Sequence, residues 1–125
     1  MWYNLRMTLD GLRKPDVAAE YTVARAFLRR LPRGYEVAQA ILFGSRARGN
    51  HRADSDLDLA VVLKGQRGDF LDTKLDMAGV AFDVLMDTGI LVQPFPLWHD
   101  DLAHPERFIN PALIRSIAAD GIRLG

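Results

Sequence analysis

Gly44-Ser45-Arg46-Ala47-Arg48-Gly49 and, after five intervening residues, Ser55-Asp56-Leu57-Asp58-Leu59 carry the densest chemistry in this chain. Val37 to Phe43, just before them, reads as a buried strand ending in Ile41-Leu42-Phe43. Gly44 to Asn50 leaves room for only a turn or two of helix, and Asp56 to Leu63 reads as a second strand. Residues two apart on a strand share a face, so Asp56 and Asp58 project together while Leu57 and Leu59 point into a core. Gly44 and Gly49 have phosphate-loop spacing, but Asn50 and His51 stand where that loop needs Lys and Ser or Thr. A calcium loop starting at Asp54 fails as well, because Leu59 replaces its turn glycine and Gly65 its bidentate glutamate.

Two adjacent carboxylates repel, and a divalent cation with a taste for hard oxygen ligands, Mg²⁺ or Mn²⁺, removes the repulsion. Asp83 is the one charge inside the apolar run Val80 to Met86, which reads as a third strand. If that strand lies beside Asp56 and Asp58, three carboxylates hold two metals about 3.5–4 Å apart, an arrangement suited to displacement at phosphorus. Gly44 and Ser45 offer backbone N–H groups and a hydroxyl to phosphate oxygens, with the charges of Arg46 and Arg48 close by. Taken singly, each feature has a plainer origin: Asp-x-Asp is common on solvated strand starts, and a lone glycine is usually a turn. Their joint spacing carries the signal.

Outward from this stretch, Val17, Tyr21, Ala24, Leu28 and Leu31 follow helical spacing from Pro15 to Leu31. Asp16 and Glu20 stand at its start, Arg29 and Arg30 at its end, and Pro32 stops it. Asp69 to Ala78 is amphipathic, with Leu71, Leu75 and Ala78 on one side and Gly79 as C-terminal cap. Asp87-Thr88-Gly89 reads as a hairpin turn into Ile90 to Leu97, where Pro94 and Pro96 force an edge position. Asn110-Pro111 starts a last helix that runs to about Asp120 and stops at Gly121. Alternating helices and strands give an α/β (α+β) fold: a small mixed β-sheet flanked by helices.

The 125 residues, 49% hydrophobic and 26% charged, form a single domain, residues 1–125, of ordinary globular composition. With no cysteine, disulfides, thiolate metal sites and cysteine nucleophiles are excluded. No apolar run approaches the roughly 18 residues of a membrane span. The N-terminus lacks a signal-peptide pattern, so the expected location is the cytoplasm, with no membrane association. Net charge is zero, yet residues 1–52 hold ten bases against four acids and residues 53–125 six against twelve. This split fits either a mixed surface or a cationic patch beside a carboxylate cluster, and the balanced total argues against general nucleic-acid binding. His99 and His104 flank Asp100 and Asp101, but their separation and Pro105 make this a solvated loop. His51 reads as a surface histidine.

Gly44-Ser45, ten residues, then Asp56-x-Asp58 resembles the signature of the polymerase-β-like nucleotidyltransferases. The length, the Gly-Ser-Arg-Ala-Arg-Gly form and the closing Asn110-Pro111 and Gly121-Ile122-Arg123-Leu124 are similar to the minimal nucleotidyltransferases, commonly encoded beside a HEPN-domain toxin. The resemblance implies the nucleotidyltransferase fold, Mg²⁺ or Mn²⁺, and ATP as substrate. It implies that Gly44 and Ser45 hold the triphosphate, Asp56 and Asp58 the metals, and that Asp83 completes the site as ligand and base. It further implies AMPylation: AMP transferred to a hydroxyl of a partner protein, a HEPN toxin, with this chain as antitoxin. Two alternatives stay open, an antitoxin or regulatory module acting by contact without catalysis, and transfer to a small-molecule hydroxyl. The oligomeric state, homo-oligomer or monomer, is left open too.

Overall fold

The computed structural model describes residues 17–124, so the expected helix start at Pro15 and Asp16 lies outside the described residues. The chain runs α1 (Ala18–Arg29), β1 (Val37–Phe43), α2 (Gly44–Arg48), β2 (Leu57–Leu63), α3 (Phe70–Thr88), β3 (Val92–Trp98), two 3₁₀ turns (Asp101–Ala103 and Pro105–Arg107), α4 (Pro111–Asp120) and β4 (Ile122–Arg123). The four strands form one mixed sheet in the order β3-β2-β1-β4. β1 pairs antiparallel with β2 and β4, whereas β2 and β3 are parallel.

Side-chain alternation splits the core across the two faces of the sheet. Leu42, Leu57, Leu59, Val61 and Val92 pack with Val23 and Phe27 of α1 and Met77, Ala81 and Val84 of α3. On the other face Ile41, Ala60, Val62 and Leu97 meet Ile114 and Ile117 of α4. Asn110 caps α4 by accepting from the Leu113 N–H, with Pro111 in the first turn, as the sequence led one to expect.

The stretch Val80 to Met86 departs from expectation: it is the second half of α3, not a strand. Thr73, Met77, Ala81 and Val84 recur at helical spacing and are the residues α3 buries. The alternation of Val80, Phe82 and Val84 is incidental to that stripe. Leu71 and Leu75, expected inside, face solvent. Gly79 is interior to the helix, and the true C-cap is Gly89, in the left-handed region at φ 77°. Asp87-Thr88-Gly89 is therefore a helix end and not a hairpin turn. A tight hairpin cannot join parallel strands, and here α3 itself is the crossover from β2 to β3. The edge position expected from Pro94 and Pro96 holds, since β3 borders the sheet.

Candidate active site

The register of three strands sets the site. Phe43 is opposite Asp58 on β1 and β2, and Asp58 is opposite Gln93 on β2 and β3, so the three form one row across a single face. Asp56 precedes β2 on the same side, and the Gln93 Nε2 donates to its Oδ2 at 3.1 Å. Leu57 and Leu59, on the opposite face, are fully buried. α4 covers only part of this face. Its uncovered end forms a cleft of about 310 Å³ lined by Phe43, Asp56, Asp58, Lys74, Gln93, Pro94, Phe95 and Leu113.

Burial pushes the Asp58 carboxyl above the usual carboxylate range, the negative charge of Asp56 pushes it further, and Arg48 partly opposes both. These are two hard oxygen donors whose mutual repulsion a cation relieves, and they fit one divalent ion. Among the described residues no group of three or more His, Cys, Asp or Glu is gathered to hold a metal.

Gly44 sits directly against this pair. Its φ of 75° lies in the left-handed region, and a Cβ there would overlap Asp58 Oδ2. Glycine at 44 thus lets the first turn of α2 close onto the Asp58 carboxylate. Phe43, at the N-cap position of α2, supplies no capping side chain. Gly44 and Arg48 line a smaller cleft with Ser116 and Asp120, which shares Phe43 as a wall with the carboxylate cleft. Ser45 is half-buried on the same turn.

Two expected site residues lie elsewhere. Asp83 is exposed on α3, which packs against the opposite face of the sheet from the carboxylate row, because the strand expected to carry it does not exist. The residue standing across from Asp58 on the neighbouring strand is Gln93. Arg46 points inward: its guanidinium pairs with Glu20 at 2.7 Å and donates to the carbonyls of Ser55 and Ala53. It ties α1 and the loop before β2 to α2, and with its side chain only about 4% exposed it is a buried structural ion-pair partner and not a surface presented to a ligand phosphate. His51 also turns toward Glu20, 3.6 Å from its Oε2.

Sequence reasoning missed Glu20, Lys74 and Gln93. Glu20 carried a usable signal, an acid on the apolar face of α1 with Val23, Ala24 and Phe27, which demands a buried partner. Gln93 and Lys74 depend on strand register and crossover, which one sequence does not display.

A family model described as polymerase beta, nucleotidyltransferase, matches residues 28–93. The chain belongs to that family. The matched span contains β1, α2, β2 and α3, and it ends at Gln93, so the apposition of Gly44 and Asp58 falls inside it. No curated protein matches the chain. As a nucleotidyltransferase domain it pairs an activated nucleotide with an acceptor. Among the described residues, no helix is long and apolar enough to cross a membrane.

Proposed function

We propose that this nucleotidyltransferase binds Mg-ATP across the Gly44 turn and the Asp56–Asp58 pair and transfers AMP to a hydroxyl of a partner protein. The observation that carries this reading is the close approach of Gly44 to Asp58, which sets the first turn of α2 beside a carboxylate pair whose repulsion a cation would relieve. Asp56 and Asp58 would hold Mg²⁺ or Mn²⁺, and Gly44, Ser45 and Arg48 would take the phosphates. The cation supplies charge neutralisation at the triphosphate. In the transfer, the acceptor oxygen bonds to the α-phosphorus, the bond to the bridging oxygen breaks, pyrophosphate leaves and the hydroxyl proton passes to water.

In-line attack needs the acceptor opposite the leaving pyrophosphate. With pyrophosphate at Gly44 and Arg48, the open side is a second cleft of about 320 Å³ that shares Phe95 and Leu113 with the carboxylate cleft. Phe70, Phe95 and Phe108 line it, with Arg67 and Arg107. Those walls suit an aromatic hydroxyl such as a tyrosine on an acidic partner surface, in keeping with a HEPN toxin as acceptor and this chain as its cytoplasmic antitoxin.

The test is ATP labelled at the α-phosphate, incubated with the protein and a HEPN-domain protein encoded beside it. Covalent label on the partner's tyrosine is expected. The amide of Gln93 in the third place of the row favours a second reading, neutralisation by contact alone. That reading predicts full neutralisation with no label.

A further inference from the structure

We infer that Gln93 limits this site to a single divalent cation, the one that accompanies the nucleotide phosphates. The inference rests on the Mg-ATP reading above and deepens it. Three observations carry it. Gln93 stands across from Asp58 on the parallel neighbour strand, its Nε2 donates to Asp56 Oδ2 at 3.1 Å, and no third acid joins the pair among the described residues.

Two cations about 3.5–4 Å apart repel strongly and are held only where bridging carboxylates cancel their charge. A side chain at 93 occupies the position from which a third carboxylate would reach the pair. The amide there is neutral, so the row offers one negative charge fewer. The Gln93 NH₂ also takes up an oxygen of Asp56 that a second cation would need. Turned the other way, the amide would set its own oxygen against the carboxylate, so the donor orientation is the favoured one. Lys74, lining the same cleft, adds positive charge and works against a second cation as well. Gln93 is a positioning residue here: it sets how many cations Asp56 and Asp58 share.

The experiment counts Mn²⁺ bound per chain by electron paramagnetic resonance, in the presence of α,β-methylene-ATP. Wild type is expected to bind one Mn²⁺, and Gln93→Asp two. Gln93→Ala should stay at one, because the amide is not needed for the first ion. Gln93 is exposed, so these variants should fold, and Gln93→Glu serves as a longer carboxylate should Asp fall short. A second readout is independent of counting: Gln93→Asp should melt lower than wild type without metal and recover on adding Mn²⁺. Two ions in wild type, or one in both carboxylate variants with intact circular dichroism, would overturn the inference while leaving the nucleotide site standing. No Mn²⁺ bound by wild type or any variant would overturn the Mg-ATP reading and this inference with it.

Discussion

Arg46 and Arg48 are two residues apart and do opposite work. Arg46 is buried with Glu20, each side chain about 4% exposed. Arg48 is exposed beside Asp58. Arg46→Ala leaves a buried uncompensated carboxylate and should cost about 3–5 kcal/mol of stability in urea denaturation. Arg48→Ala should leave the urea midpoint within about 0.5 kcal/mol of wild type and weaken Mg-ATP binding instead. Asp58 makes a separate, pH-dependent claim. Its carboxyl is raised in the folded state, so the folded chain holds a proton that the unfolded chain has released, and stability is lost as pH rises through that window. Metal-free Asp58→Asn should therefore melt higher than wild type at pH 7, by under about 1 kcal/mol because solvent still screens the pair. The gain should shrink as pH falls toward about 4, the unfolded carboxylate value. Melting curves across that range, with and without Mg²⁺, check the sign, and Mg²⁺ should erase the gain.

Helix α3 shows where local pattern misleads. Its first half was legible from Asp69 and the amphipathic spacing, yet Gly79 reads equally well as a cap or as an interior residue. Packing decides, because Met77, Ala81 and Val84 bury one continuous stripe across the glycine. Strand β2 was legible outright, since only a strand puts Leu57 and Leu59 inside and Asp56 and Asp58 together outside. The Gly44 turn was legible for the same reason of spacing. The partner of Asp58 on β3 was not, because a parallel register is fixed by a crossover whose length depends on where α3 ends. The two glycines of α3 test this account directly. Gly79→Ala should stabilise by about 0.5–1 kcal/mol, as the added Cβ meets open space in a helix interior. Gly89→Ala should destabilise by about 1–2 kcal/mol, because φ 77° is costly for an L side chain. Urea midpoints of the two variants should move in opposite directions.

At the scale of the molecule, one mixed sheet carries a packed face and a working face. α1 and α3 seal the first face. α4 and the 3₁₀ turns seal half of the second, with Asp101 accepting from the Trp98 N–H at 2.7 Å to pin the turn after β3. The other half stays open over Phe43, Asp58 and Gln93, with the Gly44 turn at its edge. The central claim is that this open end is the nucleotide and metal site of the domain. Calorimetric titration of Mg-ATP into wild type, Asp58→Asn and Asp83→Asn tests it most directly. Wild type should bind, Asp58→Asn should lose at least about tenfold in affinity, the scale of one charged ligand contact, and Asp83→Asn, altered on the helix that packs on the opposite face of the sheet, should match wild type. Unchanged affinity in folded Asp58→Asn, or a loss confined to Asp83→Asn, would contradict the account.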